Sequence, residues 1–149
     1  MTESGLTRLA VQATAHCLTG CAIGEILGMV IATAFGLGDA ASILLAVVLA
    51  FGFGYALTVG PVARAGVPFR RALRLALASD TVSIATMELV DNAFILAVPG
   101  AMAAGLASAL FWWSLLVSLA VAFVLTVPVN RWLIARGRGH AVMHELHAH

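Results

Sequence analysis

The chain has 149 residues, 62% of them hydrophobic and 10% charged, with a formal net charge of +1. Soluble domains run to about half apolar and a quarter charged residues, so a water-exposed fold of this length is excluded and the bilayer is the natural solvent. The small net charge gives no footing to a nucleic-acid partner, and residues 1–149 are expected to form a single membrane domain.

Four apolar segments follow one another, giving an all-α integral membrane protein with four transmembrane helices in two hairpins as the expected fold class. Span one is Ala15–Phe35, ended by Gly36-Leu37-Gly38-Asp39. Span two is Ala41–Val59, stopped at Gly60-Pro61; span three is Ala78–Val98, stopped at Pro99-Gly100; span four is Leu106–Val127, stopped at Pro128. Each is close to the ~20 residues a helix needs to cross the hydrocarbon core. A loop over 60–77 joins the hairpins, and a histidine-containing tail fills 128–149. Glu25 and Glu88 hold matching places in spans one and three, and the ends of spans two and four share Leu-Thr-Val before a proline. That pattern suggests two parallel repeats related by an axis along the membrane normal.

All the basic residues are arginine. Arg64, Arg70, Arg71 and Arg74 lie between spans two and three, Arg8 precedes span one, and Arg131, Arg136 and Arg138 follow span four. The positive-inside rule then places both termini and the middle loop in the cytoplasm of a multi-pass protein of the bacterial inner (plasma) membrane. The arginines also suit anionic lipid heads. Leu18-Thr19-Gly20-Cys21 resembles a lipoprotein cleavage box, but Gln12, His16 and Cys17 spoil the apolar core such a signal needs, so lipidation is not expected.

The chemistry sits inside the spans. At about 100° per residue, His16, Cys17, Gly20, Cys21, Gly24, Glu25 and Gly28 share one half of span one. The glycines have the small-xxx-small spacing that lets a second backbone approach closely. Span three gathers Asp80, Ser83, Met87, Glu88, Asp91 and Asn92 in the same manner. With both helices running outward, His16 and Cys17 are expected level with Asp80, Cys21 near Ser83, and Glu25 level with Met87 and Glu88, in a ladder rising ~1.5 Å per residue. Ionisable side chains in a span cost several kcal/mol, on the order of 3, and mark a pathway or relay by default.

Thiolate, thioether and imidazole select Cu(I) or Zn(II), while carboxylates take harder ions or protons. His16, Cys17, Cys21, Glu25, Met87 and Glu88 are therefore the candidate metal ligands, and Asp80, Ser83, Asp91 and Asn92 the candidate proton or ion pathway. In the tail, His140, Met143, His144, His147 and His149 suit metal loading, with an amphipathic surface helix as the plain alternative. A disulfide between Cys17 and Cys21 would distort the helix, and no CxxC motif is present. No phosphate loop is present to couple ATP, and four thin helices rich in glycine and alanine point to a homo-oligomer as the conducting unit. The expected function is a transition-metal transporter or channel, copper ahead of zinc, rather than an enzyme. A membrane redox enzyme with haem or quinone, His16 serving as axial ligand, is the first alternative, and a non-catalytic assembly subunit the second.

The strings HCLTGCAIGEILGM, MELVDN and GHAVMH resemble those of a family of small bacterial inner-membrane proteins described only as a domain of unknown function. The resemblance runs over nearly the whole chain. It implies a four-helix membrane unit, with His16, Cys17, Cys21, Glu25, Glu88, Asp91 and His140 as pattern-bearing positions, and a link to heavy-metal handling, copper in particular.

Overall fold

The computed structural model describes residues 2–136, so the tail histidines His140, His144, His147 and His149, with Met143, lie outside the described residues. Four helices follow in chain order: α1 (Glu3–Phe35), α2 (Asp39–Arg64), α3 (Phe69–Ala97) and α4 (Ala109–Ala135). No strand occurs among the described residues. Helices α1, α2 and α4 are long and apolar enough to cross a membrane. Helix α3 has the length, at 29 residues, but three arginines in its first turns and three acids beyond them reduce its apolar character.

The helices outrun the expected spans. Helix α1 starts at Glu3, with Thr2 Oγ1 accepting from the Gly5 N–H at 3.2 Å, and α3 starts at Phe69 rather than Ala78. Neither Pro61 nor Pro128 stops its helix. A proline fixes φ near the helical value and removes one N–H. Pro61 sits in the last turn of α2, where little ladder is left to lose; α4 continues from Pro128 to Ala135. Helix α4 starts at Ala109, not Leu106, with the Ser108 hydroxyl capping the Leu110 N–H. Trp112 and Trp113 therefore lie in its first two turns, and Trp112 Nε1 donates to Leu106 O at 2.7 Å.

The α1–α2 turn is made by Gly36 at φ +63°, with Leu37 N–H bonded to Ala32 O and Gly36 N–H to Thr33 O. This is a Schellman ending, which favours a residue without a Cβ. The chain returns antiparallel, and the seam that results is the tightest in the molecule. A Cβ on Gly20 would stand 2.8 Å from Gly54 Cα, one on Gly24 2.5 Å from Ala50 Cα, and one on Gly28 2.8 Å from Ala46 Cα. Each step of four along α1 meets a step of four back along α2. The stripe His16, Gly20, Gly24, Gly28 thus matches Thr58, Gly54, Ala50, Ala46.

The bundle is polar inside and apolar outside. Thr14, Thr58, Ser79, Asp80, Ser83, Glu88, Asp91, Ser114, Ser118, Thr126 and Asn130 are buried, while Leu44, Leu89, Leu96, Leu116 and Val124 are exposed. Helix α3 follows the same rule. Its acids point inward and Leu77, Val82, Leu89 and Leu96 outward. At the end carrying the arginines, Glu3 pairs with Arg131, tying the start of α1 to the end of α4.

Candidate functional site

The site is a column of polar side chains along the bundle axis, and each rung is held by helix packing. At the arginine end, His16 Nε2 lies 2.9 Å from Thr58 Oγ1. Thr58 in turn donates to Asp80 Oδ2 at 2.5 Å, and Ser79 donates to Asp80 Oδ1 at 2.8 Å. A hydroxyl has one proton, so with Thr58 donating to Asp80 its oxygen accepts from His16, which makes Nε2 the protonated nitrogen. Beside this rung, Ser83 donates to Asn130 Oδ1, Asn130 Nδ2 donates to Thr14 Oγ1 at 2.9 Å, and Thr14 donates to Ala10 O at 2.7 Å. Three helices are joined there through Asn130.

The middle of the column is sulfur. Cys17 and Cys21 are fully buried free thiols in one cluster with Met87, Ile84, Ala50 and Ala122. Cys21 Sγ stands 3.9 Å from Met87 Sδ and faces the Glu88 carboxylate. Cys17 lies against Ser83 and Asp80. The upper part is acidic. Glu25 faces Asp91 and stands within electrostatic reach of Glu88. Asn92 Nδ2 donates to Glu88 O at 2.8 Å and reaches Glu88 Oε2 at 3.4 Å. Both Glu25 oxygens, Glu88 Oε1 and Asp91 Oδ1 are buried and meet no donor among the described residues. A cavity of about 70 Å³ opens beside Glu25 and Asp91 at the end of the bundle away from the arginines.

Span one and span three do supply the rungs, but with a different register from that expected. Cys21 meets Met87 rather than Ser83, and Glu25 faces Asp91, with Glu88, one of the two residues expected level with it, within electrostatic reach. Ser83 serves Cys17. The rungs on α3 are shifted by up to a turn from the heights that the hydropathy edges suggest. His16 and Asp80 are level, joined through Thr58 of α2. The glycines and cysteines of span one also part company: the glycines face α2, and Cys21 reaches across to α3.

The six candidate ligands do not converge on a point. Among the described residues, no three His, Cys, Asp or Glu side chains gather where they could hold a metal ion. Cys17, Cys21 and Met87 share one buried cluster, with Cys21 Sγ and Met87 Sδ in contact. Missed by sequence reasoning were Thr58 of α2, Asn130 of α4 and the use of Thr14 of α1 as an acceptor. Their signals were present but faint. Thr58 continues the small-residue stripe Ala46, Ala50, Gly54, and Asn130 is the one amide in span four's apolar continuation.

A family model described as a domain of unknown function, DUF4396, matches residues 8–139. The chain belongs to this family. The match takes in α1 of this DUF4396 chain from Arg8 onward, the other three helices whole and every rung of the column from Thr14 to Asn130, and ends just before His140. No curated protein and no solved structure matches the chain.

Proposed function

We propose that this DUF4396 protein is a multi-pass protein of the bacterial inner membrane that conducts a soft transition-metal ion along its polar column, with copper(I) as the favoured substrate. The observation that carries this reading is the buried sulfur group: Cys21 Sγ 3.9 Å from Met87 Sδ, with Cys17 in the same cluster. Two thiolates and a thioether suit Cu(I), whereas Zn(II) takes four ligands of nitrogen, sulfur or oxygen. Thiols lose protons when they bind metal, and carboxylates stand beside both, Asp80 near Cys17 and Glu88 near Cys21. His16 supports a haem less well, because Nε2, an axial-ligand atom, is taken by Thr58.

In this reading α3 is the fourth span. Burying Asp80, Glu88 and Asp91 in the bundle while Leu77, Val82, Leu89 and Leu96 face outward supports that placement. The arginines gather at the end of the bundle holding the start of α1 and the end of α4, so the positive-inside rule puts both ends of the chain in the cytoplasm. Copies of the chain would associate through the apolar outer faces, and the tail histidines would exchange the ion with cytoplasmic acceptors.

Elemental analysis of detergent-purified protein grown in mixed metals, beside Cys17→Ser with Cys21→Ser, tests the reading. About one copper per chain, lost in the double variant, is the expected result. No metal in either protein moves the assignment to a proton relay or an assembly subunit. A reporter active only in the periplasm, fused after the last residue, is expected to stay silent.

A further inference from the structure

Two carboxylates at the end of the bundle away from the arginines, Glu25 and Asp91, face each other with buried oxygens that no donor meets among the described residues. Asp91 is 3% exposed, its Oδ1 meets no donor, and it lines the open cavity. Both Glu25 oxygens are in the same state on the same wall. No lysine, arginine or histidine lines the cavity, and the arginines sit at the other end of the bundle. By contrast Asp80, one of the other buried acids, receives two hydroxyl donors. Buried acceptors without donors call for an explanation, and an ion or water is the usual one.

The cavity draws on all four helices. Glu25 comes from α1, Ser42 from α2, Asp91 and Asn92 from α3 and Ser114 from α4. These are oxygen donors, and about 70 Å³ leaves room for several waters around an ion. Carboxylate, amide, hydroxyl and water are the ligands of hard divalent cations, which keep part of their hydration shell and need one or two carboxylates from the protein. Met102 lines the wall as well and adds a thioether within the same space.

We propose that this cavity is a binding site for a partly hydrated metal cation, held by Glu25 and Asp91 with Ser42, Asn92 and Ser114 around its water shell. Its role as the loading site of the column rests on the conduction reading; the binding itself does not. The site differs in kind from the sulfur group below it.

Mn²⁺ is the probe, since it favours oxygen ligands and its free aqueous form is counted by electron paramagnetic resonance. The full chain in detergent is titrated beside Cys17→Ser/Cys21→Ser, Glu25→Gln/Asp91→Asn and Asp91→Asn alone. The expected result is Mn²⁺ binding that the cysteine variant keeps and the carboxylate double variant loses by more than about tenfold. Asp91→Asn, which preserves shape, must weaken it by itself; retained copper and helical circular dichroism report that the carboxylate variants are folded. Equal Mn²⁺ affinity in wild type and the double variant, or none in wild type, overturns the proposal. Copper binding without Mn²⁺ binding removes this site and leaves the conduction reading; Mn²⁺ binding without copper removes the sulfur reading and leaves this site.

Discussion

Along the α1–α2 seam, Gly20, Gly24 and Gly28 meet Gly54, Ala50 and Ala46 with no room for a methyl group. Around the same helix, Cys17 and Cys21 meet Ser83 and Met87, and Glu25 meets Asp91, through polar or polarisable atoms. One side of α1 is thus specified by shape and the other by chemistry. In a membrane this division has a physical basis. Lipid is as apolar as leucine, so helices are not driven together by hydrophobicity; close packing of small residues and interhelical hydrogen bonds do that instead. The seam sets position, and the column uses the position it is given.

Substitutions can break that division, and the largest effect is expected at the seam. Gly24→Val places a branched side chain against the Ala50 backbone, which cannot move as a side-chain tip could. It should cost more than the ~1–3 kcal/mol of ordinary overpacking and abolish a cooperative thermal transition in detergent. Gly52→Ala is its control. A Cβ there meets nothing within 4 Å, so a change within about 0.5 kcal/mol is expected, or a slight gain from helix propensity.

Next comes Thr58→Val, at the point where the two regions touch. It keeps the volume but strips Asp80 Oδ2 of its donor and His16 of its acceptor. A loss of about 1–3 kcal/mol is expected, the cost of removing one hydrogen bond to a buried carboxylate and one to His16, read from denaturation of the purified protein. Asn130→Leu should fall in the lower half of that range, because Thr14 keeps its bond to Ala10 O and the Ser83 hydroxyl can turn to a backbone carbonyl of its own helix. The smallest effect belongs to Arg131→Ala. The Glu3–Arg131 pair has side chains 82% and 41% exposed, and such pairs contribute about 0–1 kcal/mol. A stability loss at Arg131 larger than that at Thr58 would reverse the ranking and the comparison behind it.

The sequence made the seam easier to foresee than the column. Gly20, Gly24 and Gly28 have a spacing that announces a close helix neighbour, and the short Gly36–Asp39 turn names α2 as that neighbour. The rungs were legible as residue types, since acids and thiols stand out in an apolar background, but not as pairs. Pairing depends on relative height, and a helix that begins at Glu3 or Phe69 gives no mark in hydropathy of where lipid begins. Thr58 and Asn130 were hidden for another reason. Uncharged polar residues cost little in a membrane helix, so their presence alone does not single them out; only the partner Asp80 or Ser83 gives them a role. The two prolines misled because a proline's constraint on φ is met inside a helix as well as after one, and the lost hydrogen bond is a cost that an end turn or a packed neighbour can absorb.

The polar inner face of α3 also bears on how the protein is made. A segment with Asp80, Glu88 and Asp91 would partition poorly into lipid on its own, by translocon scales at about 2.5–3.5 kcal/mol for each acid near its centre. The α1–α2 hairpin carries one mid-helix acid, Glu25, in helices otherwise long and apolar enough to cross a membrane, and it is closed by its own glycine seam, so it can be in place before α3 leaves the ribosome. Its exposed Thr58, Cys17 and Cys21 would then be the surface that receives α3, with α4 following to seal the acids in. The same groups that form the column would thus act first as the guide for membrane integration, and a variant such as Thr58→Val would show its earliest defect as α3 left outside the bilayer during synthesis.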